Sequence, residues 1–206
     1  MATILQTSTL RVELSPLKSL TFPPLEVQKG EVVLLKGASG SGKSTWMHAL
    51  AGLIPFHQGS VTIAGYGSLV AGKSAPKQWR RDALSFMPQR AFFWNSLTLN
   101  ENLALAAWCK GLPQSGADLN SVGLEGQGRQ SAQSLSLGEQ QRVSALRAFM
   151  GSAPLLLADE PTASLDDSNA EKLLQLFRAQ LGDKALLISS HDHRLAPYVD
   201  QIITLP

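Results

Sequence analysis

The chain has 206 residues, with 18 Lys and Arg against 16 Asp and Glu for a formal charge of +2, and 44% of it is hydrophobic while 17% is charged. That length suits one domain with a sizeable core, and the ordinary hydrophobic fraction excludes disorder. So small a net charge argues against a nucleic acid or an anionic membrane as partner by bulk electrostatics. The single cysteine, Cys109, excludes a disulfide framework and a Cys-rich metal site.

The first 30 residues read as short strands punctuated by Pro16, Pro23 and Pro24, with a turn at Lys29-Gly30. Glu31 to Lys36 is an apolar run bounded by glycines, the pattern of a strand buried on both faces. The Gly-rich segment 37–42 follows, and then a helix from Lys43 to Ala51 that stops at Gly52. Ser60 to Ala64 alternates as a strand, and Leu84 to Met87 is the next. Thr98-Leu-Asn-Glu101 and Ser136-Leu-Gly-Glu139 both have the spacing of a capping box. The first opens a helix running to Lys110 and Gly111, the second one running to about Met150. Ala170, Leu173, Leu174, Phe177 and Leu181 form the clearest amphipathic stripe, ended by Gly182. Pro154 to Ala158, Lys184 to Ser190 and Gln201 to Leu205 have strand length and character. Strands alternating with helices predict an α/β fold with a mostly parallel sheet. Residues 90–150, which lack strand signals, read as a helical insertion. No apolar stretch approaches the roughly 18 residues of a membrane-spanning helix, and residues 1–10 do not have the pattern of a signal peptide, so the expected setting is cytoplasmic.

Two elements carry chemistry. Gly37-Ala38-Ser39-Gly40-Ser41-Gly42-Lys43-Ser44 matches G-x-x-x-x-G-K-[ST] between a buried strand and a helix. Its glycines let backbone amides curl around phosphate oxygens, aided by the helix N-terminus. Lys43 reaches the outer phosphates and the Ser44 hydroxyl suits Mg²⁺. Leu155 to Ala158 ends in Asp159-Glu160, delivering two carboxylates to the carboxyl edge of the sheet, where ligands of open α/β sheets collect. Asp159 suits Mg²⁺ through water, and Glu160 is placed to polarise an attacking water.

Four further elements follow in order: Gln89 after Phe86-Met-Pro88; Leu135-Ser136-Leu137-Gly138-Glu139 with Gln140-Gln141-Arg142; Ser164-Leu165-Asp166; and His191 after an apolar strand. With the two above, they resemble the glutamine loop, signature, S-A-L-D loop and switch histidine of the nucleotide-binding subunit of ATP-binding cassette (ABC) transporters, from about residue 30 to 195. The resemblance implies a phosphate-loop NTPase core with an N-terminal antiparallel β subdomain and a helical subdomain. The chain is then one nucleotide-binding domain, with residues 1–89 and 151–206 as core plus β subdomain and 90–150 helical. It implies ATP and Mg²⁺ as cofactors, the phosphate-loop residues through Thr45 together with Ser136 and Gly138 as nucleotide contacts, and Ser44, Gln89 and Asp159 at the metal. Glu160 is then the general base, with Lys43, Gln89 and His191 assisting and His191 sensing the γ-phosphate. It further implies two copies packed head to tail around two ATP molecules. They would bind a separately encoded integral-membrane permease and sit peripherally on the cytoplasmic face of the cell membrane.

Two departures stand out. The third signature position is Leu137 where the family has Gly; at the first position of a helix leucine is conformationally legal. Arg11 to Ser19 lacks the aromatic that family members usually stack on adenine, and the nearest, Phe22, reads as part of a strand. Ala91-Phe92-Phe93-Trp94 is either buried core or a groove for a helix of the membrane subunit. His48, His57 and His193 have no partners at metal-ligand spacing, and Cys109 reads as a small apolar helix residue. The rival functions are a soluble ABC ATPase without a transporter and a degenerate regulatory half, the second motivated by Leu137.

Overall fold

A computed structural model describes residues 2–76, 78–113 and 118–206. The N-terminal segment forms β1 (Thr3–Thr7), β2 (Leu10–Ser15), β3 (Lys18–Phe22) and β4 (Leu25–Gln28), with a turn at Pro16 and a break at Pro23-Pro24. Then come β5 (Val32–Lys36), α1 (Lys43–Leu50), β6 (Ser60–Ile63), β7 (Gly67–Val70) and β8 (Leu84–Met87). The remaining elements are α2 (Leu99–Cys109), α3 (Leu137–Phe149), β9 (Leu155–Asp159), α4 (Asp167–Leu181), β10 (Ala185–Ser189) and β11 (Gln201–Thr204). The central sheet has five strands in the order β11-β5-β10-β9-β8, all parallel. A four-stranded antiparallel sheet, β4-β1-β6-β7, and the hairpin β2-β3 complete the β structure.

The two-residue period of a strand divides the molecule into two cores. Val32, Leu34, Leu156, Ala158, Leu186 and Ile188 face one side of the parallel sheet, where α2, α3 and α4 pack. Val33, Leu35, Leu155, Leu157, Ala185 and Leu187 face the other side, against α1 and the antiparallel strands. Burial on both faces is why these strands read as unbroken apolar runs rather than alternating ones. Among the described residues, 90–150 hold helices and 3₁₀ turns but no strand. Leu99, Leu103 and Val143 from this stretch share one continuous core with the sheet.

Both capping boxes form as the spacing predicts. The Thr98 and Ser136 hydroxyls accept from the amides of Glu101 and Glu139, whose carboxylates reach back to the amides of Thr98 and Ser136. α4 is capped by Asp166, which accepts from the Asn169 amide at 2.8 Å. Two elements escaped the sequence pattern. β7 is glycine-led and exposed at every residue but Leu69, and Trp79–Ala83 forms one π-helical turn that buries Trp79 against the Leu50 carbonyl.

Candidate functional site

The phosphate loop joins β5 to α1 and turns at Gly42, whose φ of +96° lies in the left-handed region. The backbone angle favours glycine, and a Cβ there would lie 2.7 Å from Leu20 Cδ1 of the β2-β3 hairpin, so that side chain would have to shift as well. α1 differs from the other three helices: it has no side-chain cap and no acidic residue in its first turn. Its leading amides and positive dipole end are therefore left for an anion.

The side chains that sequence assigned to the site converge here. The Lys43 ammonium, 6% exposed, sits inside the loop's curve, donating to the carbonyls of Gly37 at 2.9 Å and Ala38 at 3.1 Å, and lies 3.6 Å from Glu160 Oε1. Ser44 Oγ donates to Asp159 Oδ1 at 3.0 Å. Ser189 Oγ also donates to Asp159. Ser190 Oγ donates to Glu160 Oε2 at 2.9 Å, and His191 Nδ1 lies 3.3 Å from Glu160 Oε1. Glu160 has φ +44°, the one positive value outside glycine among the described residues. Such strain persists where surrounding contacts over-determine it, here the bonds from its amide to the Ser189 carbonyl at 2.9 Å and hydroxyl at 3.3 Å.

These residues surround a cavity of about 290 Å³ lined by Ser39, Gly40, Gly42, Lys43, Ser44, Thr45, Gln89, Glu160 and His191, with Leu14, Lys18 and Leu20 of the hairpin forming its remaining wall. Ser136 and Gly138 are not among its lining residues. No hydrogen bond joins the Gln89 carboxamide to Ser44 or Asp159; the Gln89 carbonyl instead accepts from Gln141 of α3 at 2.7 Å. Leu137 is the first residue of α3 and 46% exposed, so the helix forms normally around the variant. Gly138 has its own structural reason: a Cβ there would lie 2.7 Å from Asn169 Cγ of α4.

The donor set fits a hard divalent cation. Asp159 is 5% exposed, holds hydroxyl partners, and pairs with no cationic side chain among the described residues. A buried carboxylate beside a serine hydroxyl, without a counter-ion, is oxygen chemistry suited to Mg²⁺.

A family model for ABC transporters matches residues 21–163. The chain belongs to the ABC transporter family. It is 35% identical over 201 residues to the putative hemin import ATP-binding protein HrtA of Staphylococcus aureus (strain Newman), covering 94% of this chain and 89% of that one. It superposes on an ATP-binding subunit of an ABC transporter with a TM-score of 0.81 and 30% identity, over 98% of this chain and 86% of the other. A dimeric post-hydrolysis state of the cassette MJ0796 bound to ADP and Pi superposes with a TM-score of 0.78 and 26% identity, over 98% and 94%. The chain is an ATP-binding subunit of ABC type and an ATP hydrolase of that class. Among its described residues no helix is long and apolar enough to cross a membrane.

Some site residues had no motif to announce them. Ser189 and Ser190 are fully buried hydroxyls at the carboxyl end of an apolar strand, and that anomaly was their only signal. Leu14, Lys18 and Leu20 reach the cavity through the hairpin fold, which spacing alone does not reveal. The aromatic cluster divides between the two readings. Phe93 is core, 9% exposed beneath the Arg147 guanidinium at 5.1 Å, whereas Phe92 and Trp94 are 62% and 55% exposed and meet edge to face. Phe22 is buried in a stack on Trp46 with ring centroids 5.0 Å apart, which removes it as a platform for the base. Cys109 ends α2 and is exposed.

Proposed function

We propose that the chain is the cytoplasmic motor of a transporter, one nucleotide-binding domain that works as a pair of copies beneath a separately encoded permease, with no nucleic acid involved. The uncapped N-terminus of α1, facing a cavity ringed by Lys43, Ser44, Glu160 and His191 with Asp159 bonded behind Ser44, carries this reading. The amides of residues 37–45 and Lys43 hold the ATP phosphates. Ser44 and Asp159 would hold Mg²⁺, with Gln89 at the cavity wall; when bound, the ion offsets phosphate charge. Glu160 takes the proton of the attacking water, its Oε2 fixed by Ser190 while Oε1 remains toward Lys43 and His191. His191 senses the γ-phosphate.

Ser136 and Gly138, lying outside their own chain's cavity, would serve the ATP of the second copy. In each chain the Ser136 hydroxyl donates to Glu139 Oε2 at 2.6 Å, a bond that must give way for it to donate to phosphate. Ser164 to Asp166 faces the second copy.

A groove of about 650 Å³ beside β8 would receive the permease. Arg80, Arg81, Lys110 and Arg147 surround its apolar floor of Leu53, Leu84, Phe86 and Pro88. Arg80, Lys110 and Arg147 donate to backbone carbonyls and pair with no carboxylate among the described residues. That excess of positive charge suits a helix bearing a carboxylate, and the exposed Phe92-Trp94 pair adjoins it through Arg147. The test is phosphate release by the chain with its membrane subunit. Glu160→Gln is expected to lower turnover about 100-fold or more while ATP binding persists; a wild-type complex without turnover would overturn the reading.

A further inference from the structure

The loops leaving neighbouring strands β9 and β10 are joined by a residue outside the nucleotide cavity. Asp192 and Arg194 follow His191; Thr162, Leu165 and Asp167 follow Glu160. The Asp192 side chain, 9% exposed, accepts from Thr162 Oγ1 at 2.7 Å, from Arg194 Nη2 at 2.7 Å and from Arg194 Nε at 2.9 Å. The same guanidinium donates through Nη1 to Asp167 Oδ1 at 2.7 Å and to the Leu165 carbonyl at 3.2 Å. Through Nη2 it also donates to the Thr162 carbonyl at 3.3 Å. Three donors go to carboxylates and two to carbonyls, so all five N–H groups of the fork are used. Burial alone would raise the Asp192 carboxyl, but the hydrogen bonds from Arg194 and Thr162 outweigh it and hold the group at about 2, so the clip is ionised throughout the working pH range.

Neither Asp192 nor Arg194 lines the cavity, so this network has no part in holding phosphate. It spans instead from the loop carrying His191 to residues 162–167, the segment that holds Ser164 to Asp166. We propose that Arg194 is a positioning residue that makes these loops one rigid unit, so that a displacement of His191 at the γ-phosphate moves the Ser164 to Asp166 segment against the second copy. This rests on the roles given above to His191 and to that segment. The fork is what the task needs: a lysine offers three donors from a single point and cannot span four acceptor groups.

The experiment compares Arg194→Ala, Arg194→Lys and Asp167→Ala with wild type in the full chain. It measures ATP binding to the monomer, kcat and KM for phosphate release, and ATP-induced dimerisation by light scattering in a Glu160→Gln background. Arg194→Ala is expected to leave monomer ATP affinity within about twofold and to lower kcat about tenfold or more, weakening the ATP-induced dimer in parallel. Arg194→Lys should restore little of this. Asp167, whose side chain is 95% exposed, is removable without disturbing the core; Asp167→Ala should lower kcat a few-fold with thermal stability unchanged. Turnover and dimerisation at wild-type level in all three variants would overturn the proposal. So would losses in Arg194→Ala that follow monomer ATP binding and melting temperature in step, with Asp167→Ala unaffected. Failure of the hydrolase reading looks different, since wild type itself would then not turn over.

Discussion

The nucleotide cavity and the groove beside β8 both present cationic side chains and use them in opposite ways. At the carboxyl ends of the strands Lys43, Ser44, Asp159, Glu160, Ser189, Ser190 and His191 are bonded to one another across several loops, so each charge has a fixed direction. In the groove the cations face an apolar floor, and three of the four hold only neutral oxygens of their own chain among the described residues. Preorganised, mutually bonded charges suit a small ligand whose own charge must be met at set distances. Unpaired cations over exposed apolar surface suit a macromolecular face that arrives with its own carboxylate and apolar side chains. The low charged fraction of the sequence fits this division, because surface meant to be covered need not be heavily charged.

The sharpest way to break that contrast lies within the aromatic cluster, where adjacent residues should fail for different reasons. Phe93→Ala leaves a cavity beneath Arg147 and is expected to cost about 3 kcal/mol, which for a chain of this size lowers the melting temperature by roughly 6–12 °C. Phe92→Ser with Trp94→Ser removes exposed rings, so stability should stay within about 0.5 kcal/mol while co-purification with the membrane subunit is lost. Calorimetry with detergent co-purification measures both; a double variant that unfolds as readily as Phe93→Ala would make the patch core after all.

That adjacent residues differ so much explains what could be read in advance. The parallel sheet, the capped helices and the phosphate site were legible because each rests on local regularity: unbroken apolar runs at β5, β9 and β10, Thr98 and Ser136 three residues before a glutamate, and glycines ahead of Lys43. The burial of Phe93 beside exposed Phe92 was not legible, since it depends on where Arg147 of a distant helix falls. The cavity wall from Leu14 to Leu20 was hidden for a related reason. It is made by the pairing of β2 with β3, and no spacing rule marks which residues of a hairpin look toward a loop further along the chain. Arg194 illustrates a third kind of blindness. Three residues from a motif histidine, it reads as an ordinary surface cation until the fold gathers Thr162, Leu165 and Asp167 around it.

The groove can also be tested through its charge. Burial lowers Lys110 from 10.5 to about 8, helped by the charges of Lys184 and Arg147. A partner carboxylate favours the charged ammonium, so docking raises this pKa and takes up a proton when the pH is near or above 8. Affinity for the permease is therefore expected to fall by about tenfold between pH 7 and 9, following the loss of the protonated form. Lys110→Gln should flatten that profile. A wild-type affinity that is level or rises over this window would remove Lys110 from the interface and leave only Arg80, Arg81 and Arg147 to carry the electrostatic part.

The smallest expected effect concerns the one wall of the nucleotide cavity that is not preorganised by polar bonds. Leu14, 46% exposed, and Leu20 offer aliphatic surface where a base extending from the phosphate loop can lie, and Lys18 is the single polar side chain among them. Base stacking on an aromatic ring is worth about 1–3 kcal/mol, and a leucine supplies part of that by apolar contact. Leu14→Tyr should therefore tighten ATP binding by roughly three- to tenfold, and GTP by a similar factor, because every purine has a face to stack. Fluorescence titration of the monomer with both nucleotides measures this. An unchanged affinity for both would mean that the base lies away from the hairpin, and that the phosphates alone hold the nucleotide.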